Sequence, residues 1–267
     1  MLINAVPQWQ GAIGPRAPGL VDGCLALSEL AGHVLGLPVR HVRQDAATSG
    51  AVDGVANRAV LTGPNRAAQL AALEAPGGPV LTIGGDCGVE LIPVGVARFR
   101  YGAGLGVAWF DAHADLNTAE SSPSGAFHGM VLRSLLGEGD ASFAASPALE
   151  PGRVALSGTR AFDAAEEDAV ARGLAVRTED VAGTLRAAGA DQVYLHLDLD
   201  VLDPAEFDGL NYPEPGGLTI TELVEALDGL SEMDVVGAGI TECVGTGAEL
   251  NVLEPVVAAV GRLLMRD

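Results

Sequence analysis

The chain has 267 residues, with 15 basic against 35 acidic side chains for a formal net charge of −20, and every fixed side-chain cation is arginine. A hydrophobic fraction of 48% with 19% charged residues is the composition of a folded globular chain, which excludes disorder and a fibrous repeat. So acidic a balance repels phosphate backbones and anionic lipid, disfavouring nucleic acid and membrane as partners and favouring a cationic small molecule.

In chain order, residues 22–35 read as a first helix and 64–73 as a second, with Pro64 suited to a first helical turn. The apolar run 80–83 reads as a strand and 106–110 as the next, followed by a helix over 128–136. Strand 153–156, helix 164–172 and strand 192–197 continue the alternation. Helix 220–227 carries a capping box in Thr219 and Glu222, and strand 234–240 and helix 253–264 complete the series. This rhythm predicts an α/β fold with a parallel sheet, and the lack of repeats or a Ser/Pro-rich linker predicts one domain over 1–267. The loops 119–125 and 203–217 follow chemically loaded strands, where open parallel sheets bind ligands. Three cysteines, Cys24, Cys87 and Cys243, are too few for a disulfide framework, and no leader-like N-terminus or long apolar span appears. A reducing, cytoplasmic location is the expectation.

The densest chemical signal is Trp109-Phe110-Asp111-Ala112-His113-Ala114-Asp115. Period-two spacing places Asp111, His113 and Asp115 on one side while the strand lasts, and carboxylates with imidazole form a natural Mn²⁺ set. A strand end fraying into solvent is the alternative. The segment from His196 to Pro204 repeats the logic, with Asp198 and Asp200 on one face, and buried strands seldom carry two such carboxylates without an ion. Two such segments on one sheet point to a dinuclear site. His196 could be a ligand, but a packed core histidine is the preferred reading, and Asp203 before Pro204 reads as the close of a turn.

With Gly84-Gly85-Asp86-Cys87 upstream and Ile240-Thr241-Glu242-Cys243 downstream, these segments resemble the ureohydrolases, the arginase and agmatinase family. The likeness runs from about Ile83 to Glu242 and implies a Mn²⁺-dependent amidinohydrolase of three-layer α/β/α fold with two metal sites. It makes Asp111 and Asp198 bridging ligands, gives Asp115 to the first metal, and gives His113 and Asp200 to the second. It also implies that Asn117 and Ser124 bind the substrate α-carboxylate and Asp163 its α-amino group, that Glu242 faces the guanidinium, and that Asp115 and His128 move protons. Self-association into a homo-oligomer is a further implication.

One departure stands out: the family has histidine where this chain has Cys87. The residue is either a soft thiolate at the first metal, ill matched to Mn²⁺, or a small apolar side chain that ligates nothing. A weakened first site suits a less basic, N-hydroxylated guanidine. In this the chain resembles a specialised branch of the family, the Nω-hydroxy-L-arginine amidinohydrolase of D-cycloserine biosynthesis, which releases hydroxyurea and L-ornithine. Ordinary arginase activity is the alternative. A metal-independent enzyme with Cys87 as nucleophile would leave four aspartates crowded without a counter-ion. A non-catalytic binding protein would have had no reason to keep Glu242 and His128.

Overall fold

Residues 1–74 and 78–265 are described by a computed structural model. Eight strands form one sheet: β1 (Leu2–Val6), β2 (Val39–His41), β3 (Val80–Gly84), β4 (Leu105–Phe110), β5 (Val154–Ser157), β6 (Val176–Arg177), β7 (Gln192–Asp198) and β8 (Asp234–Thr241). Their spatial order is β2-β1-β3-β8-β7-β4-β5-β6, and every neighbouring pair is parallel.

Parallel neighbours require crossover connections, and the helices that make them cover both faces. On one face α1 (Gly19–Leu35), α7 (Val181–Ala187), α8 (Ile220–Asp228) and α9 (Glu254–Leu264) bury Leu27, Leu185, Leu223 and Val256. Behind the other lie α3 (Arg66–Leu73), α4 (Leu91–Tyr101), α5 (Val131–Leu135) and α6 (Ala164–Ala171), contributing Leu73, Ile92, Leu132 and Ala169. The strands feed the two layers alternately: Ala108 and Phe110 join the first, Val107 and Trp109 the second. The fold is therefore a three-layer α/β/α sandwich with a single all-parallel sheet.

All eleven elements expected from sequence are present, with small shifts at their ends. The capping box of α8 forms, with the Glu222 amide donating to Thr219 Oγ1 at 3.1 Å and the Thr219 amide to Glu222 Oε2 at 2.8 Å. Pro64 lies ahead of α3, inside a wide turn over Leu61–Asn65 that is kinked at Gly63 and follows the short turn α2 (Arg58–Val60). Strands β1, β2 and β6 and helices α4 and α7 were not legible. Pro93 and Gly95 lower the helical propensity of α4, and Gly183 that of α7. The run 42–57 is irregular. It is tied down by side-chain amides: Asn65 Oδ1 accepts the Asp45 amide at 2.7 Å and Asn57 Oδ1 that of Ser49 at 3.0 Å. Among the described residues no helix is long and apolar enough to cross a membrane.

The four central strands, β3, β8, β7 and β4, end side by side with Cys87, Glu242, Asp198 and Asp111 at or just past their carboxyl ends.

Candidate functional site

A cavity of about 370 Å³ opens at these strand ends. His113, Asp115, Asn117, Ser124, His128, Asp163, Asp198 and Asp200 line it, so eight of the residues singled out from sequence converge there. Asp111, Cys87 and Glu242 are buried behind that lining and contact it through His113, Asp198 and His128.

The convergence of Asp111, His113 and Asp115 has a different cause from the one the spacing suggests. Strand β4 stops at Phe110, and the chain then turns, with Asp115 in the left-handed region at φ 53°. The turn forms because backbone amides leave the ladder for carboxylates: Ala112 donates to Asp200 Oδ1 at 3.0 Å and His113 to Asp111 Oδ1 at 2.6 Å. Asp200 likewise lies beyond β7 in a 3₁₀ turn, its amide given to Asp198 Oδ1 at 2.8 Å. The bonds of His113 to Asp111 and of Asp200 to Asp198 are Asx turns, which asparagine and aspartate form by bonding their own backbone two residues on.

The Gly84-Gly85-Asp86-Cys87 segment is fixed by its neighbours. A Cβ on Gly85 would stand 1.9 Å from the Gln8 carbonyl oxygen, so only glycine lets the segment pass. Asp86 accepts the amides of Gly11 at 2.9 Å and Gly88 at 2.8 Å, which caps the turn holding Cys87. Burial and the nearby Glu242 push the Asp86 carboxyl up to about 7.

Glu242, at φ 65°, is held by three donors. Its Oε1 accepts the Cys87 amide at 3.1 Å and lies 3.1 Å from His128 Nδ1, while Oε2 accepts Asn211 Nδ2 at 2.9 Å. Burial pulls His128 down and the Glu242 carboxylate pulls it up, with a net upward shift. On the rim, Asn117 Nδ2 donates to Asp163 Oδ2 at 2.7 Å, and Asp163 Oδ1 caps α6 by accepting the Ala165 and Glu166 amides. Ser124 is exposed and accepts the Ala126 amide at 3.2 Å.

The donor set fits divalent cations. Three groups have ligating atoms within 4.8 Å of one another: Cys87, Asp111, Asp115 and His196; Cys87, Asp198 and Glu242; and Asp111, His113 and Asp200. Asp115 Oδ2 is buried without a hydrogen-bond partner, which is costly in the absence of a counter-charge. Burial and then neighbouring carboxylates push Asp115 and Asp198 well up, and Asp200 to about 6. Against the downward pull of burial, hydrogen bonds with Asp111 and Asp200 and their charges shift His113 far up. The Cys87 thiol is fully buried and raised by desolvation, then by Asp198 and Asp115. That is the reverse of the lowered thiol a cysteine nucleophile requires.

Several residues at the site escaped sequence reading. Trp109 Nε1 donates to Asp111 Oδ2 at 3.1 Å. Tyr212 and Glu214, from the loop after β7, reach the cavity wall, Tyr212 with its ring centroid 5.2 Å from that of His128. Arg160 pins this loop by donating to the Asp200 carbonyl at 2.8 Å and the Pro215 carbonyl at 3.1 Å. The only sequence signal for these was the position of the 203–217 loop behind a ligand-bearing strand.

Comparison with known proteins agrees with this geometry. The model of the arginase family matches residues 33–246. Arginase from Bacillus caldovelox is 35% identical over 174 residues, and arginase from Staphylococcus aureus strain MRSA252 36% identical over 172. The aligned stretch is 58% of this chain in both cases, and spans 58% and 57% of those relatives' length. The solved structure of the Bacillus caldovelox enzyme superposes with a TM-score of 0.84 at 26% identity, covering 99% of this chain and 98% of that one. The arginase of Entamoeba histolytica, solved with L-ornithine, shares the fold at a TM-score of 0.83 and 22% identity, covering 99% and 98%.

Proposed function

Because the chain belongs to the arginase family, we propose that it hydrolyses the guanidino C–N bond of an arginine-type amino acid, with Nω-hydroxy-L-arginine as the preferred substrate and hydroxyurea and L-ornithine as products. The observation that carries the substrate choice is Cys87, whose Sγ lies 2.9 Å from Asp198 Oδ2 inside the carboxylate cluster, beside a rim suited to an amino acid. A thiol is a poor partner for a hard cation, so the first ion is held less firmly than the second. N-hydroxylation lowers the basicity of the guanidine and eases attack on its carbon, which compensates for a weaker site.

Asp111, Asp115 and Asp198 would hold the first divalent cation, with Cys87 standing where the family has a histidine, and Asp111, Asp198, His113 and Asp200 the second; Mn²⁺ suits this oxygen and imidazole set. Two such ions, when bound, would supply hydroxide near neutral pH. The chain's own side chains do the rest. Glu242 receives the guanidino group by charge-assisted hydrogen bonds, its carboxylate already fixed by Cys87, His128 and Asn211. Asn117 and Ser124 take the α-carboxylate and Asp163 the α-ammonium, so the far end of the substrate fixes its reacting end. A decarboxylated substrate such as agmatine would leave Asn117 and Ser124 unpaired. Asp115 protonates the departing amine, and His128, bonded to Glu242 and opening on the cavity, exchanges that proton with solvent.

Arginase activity on unmodified L-arginine is the second reading, favoured by the names of the relatives. The test is turnover of L-arginine and Nω-hydroxy-L-arginine under saturating Mn²⁺, before and after EDTA. A higher kcat/KM for the hydroxylated substrate, lost on chelation and restored by Mn²⁺, is expected. Equal or higher specificity for L-arginine would sink the substrate assignment, and EDTA-resistant turnover would sink the metal mechanism.

A further inference from the structure

His196 is buried in the middle of β7 with its ring stacked on Trp109, centroids 3.6 Å apart and planes at 25°. Packing of this kind is what the sequence suggested, yet it leaves one edge of the ring without a role. Nε2 points into the carboxylate cluster, 3.8 Å from Asp111 Oδ2 and 3.8 Å from Cys87 Sγ. The first separation is too long for an N–H···O hydrogen bond. It matches the spacing of two ligands on one ion, since donors bound at about 2.0–2.3 Å stand about 3–4 Å apart. Cys87 Sγ meanwhile has hydrogen-bonding partners in Asp198 Oδ2 at 2.9 Å and Thr241 Oγ1 at 3.1 Å.

We propose that His196 Nε2, and not the Cys87 sulfur, is the neutral donor that completes the first metal site with Asp111, Asp115 and Asp198. The assignment rests on the two-cation reading above and adds to it a ligand from a different strand. Charge favours imidazole: the site already holds three carboxylates, and a thiolate would add a fourth negative charge where imidazole adds none. Hardness favours it too, because imidazole serves first-row divalent ions to which thiolate is ill suited. Position is secured twice, since Trp109 both stacks on the ring and donates Nε1–H to Asp111 Oδ2, the oxygen nearest to Nε2. Nδ1 is buried without an acceptor, so the ring lacks the outer hydrogen bond that strengthens most histidine ligands. The first ion is accordingly the weaker of the two. Cys87 becomes a positioning residue that orients Asp198 through its thiol and Glu242 through its amide.

The experiment compares wild type, Cys87→Ala and His196→Gln by metal content after Mn²⁺ loading, by calorimetric Mn²⁺ titration, and by the absorption of the Co²⁺-loaded proteins. Two ions per chain in wild type and in Cys87→Ala are expected, with affinity for one of them reduced about 100-fold or more in His196→Gln. Wild-type Co²⁺ protein should show no near-ultraviolet thiolate-to-cobalt charge-transfer band. Such a band, abolished in Cys87→Ala together with one bound ion, would overturn the assignment in favour of the thiolate. Retention of both ions at wild-type affinity in a folded His196→Gln protein would overturn it as well. Should His196→Gln fail to fold, the cobalt spectrum and the stoichiometry of Cys87→Ala decide the matter by the same criteria. Absence of metal uptake by wild type would instead remove the two-cation reading from which this one proceeds.

Discussion

Replacement of Gly23 by alanine sets two effects of opposite sign against each other. Gly23 lies in α1, where alanine is favoured over glycine by about 1 kcal/mol through helix propensity alone. Its position opposes that gain. An added Cβ would stand 1.9 Å from the Cys243 carbonyl oxygen, 2.5 Å from its carbon and 2.8 Å from Val244 Cα, all backbone atoms that cannot rotate away. Ordinary contact begins at about 3.5 Å, so helix or loop must give by about 1.5 Å. The helix is poorly placed to give, because Leu20, Cys24, Leu27 and Ala31 on the same element are fully buried. Overpacking of this kind costs about 3 kcal/mol or more where backbone meets backbone, so after the helix gain of about 1 kcal/mol steric strain wins with a net loss of about 2 kcal/mol. For a chain of this size that lowers Tm by about 3–10 °C. The loop that would move begins directly after Glu242, and displacement of a positioning group by about 1 Å costs about 100-fold in rate. Thermal and urea unfolding, with kcat/KM on both guanidines, check both halves. A Gly23→Ala protein as stable as wild type would refute the steric argument, and a destabilised one with undiminished turnover would refute the coupling of α1 to Glu242.

Asp163→Asn keeps a good helix cap while removing the charge proposed to meet the α-ammonium, so stability should stay within about 0.5 kcal/mol while KM rises about tenfold or more; a KM near wild type would remove Asp163 from substrate binding. Glu90 is fully buried, and desolvation, only partly offset by a hydrogen bond with Tyr194, raises it from 4.5 to about 8. Because the folded value is the higher one, the folded state holds the extra proton. Stability from this group is complete below about 4.5 and is lost as pH rises towards about 8, at about 1.4 kcal/mol per pH unit. Glu90→Gln should therefore gain on wild type between pH 5 and 7.5 in urea melts, and parallel curves would contradict the shift. Arg58 clamps Asp140 with two bonds of 2.6 and 3.0 Å next to Ala56, whose amide holds the Gly125 carbonyl of the substrate rim at 2.8 Å. Arg58→Ala should lower the midpoint of chemical unfolding and raise KM with little change in kcat, because its action is on the rim; unchanged KM would separate this clamp from binding.

The ligand types on β4 and β7 were legible because carboxylates and histidine crowded so close behind apolar strands repel one another and desolvate at a cost that a bound cation offsets. The path of the backbone through them was not. Alternation implied a continuing strand, whereas Asp111 and Asp198 capture the amides two residues on and bend the chain away from the ladder. Cys87 and Glu242 could be matched by motif, but their contact depends on β3 lying beside β8, a neighbourhood that chain order conceals. The part played by Asn211, Tyr212 and Arg160 was illegible for a related reason. Each acts through a loop whose shape is set by hydrogen bonds to distant carbonyl groups, with no local pattern to announce it.

Asp115 and Glu242 are among only four non-glycine residues with positive φ in the described chain, and both belong to the proposed catalytic site. A left-handed conformation costs an ordinary side chain about 1 kcal/mol or more, a cost that glycine escapes and asparagine reduces. Selection for thermal endurance alone would thus reward replacements at two positions of the proposed catalytic site. A laboratory lineage evolved without an activity screen should drift first to glycine or asparagine at 115 and 242, and the order in which such changes appear would record what the working geometry costs the fold.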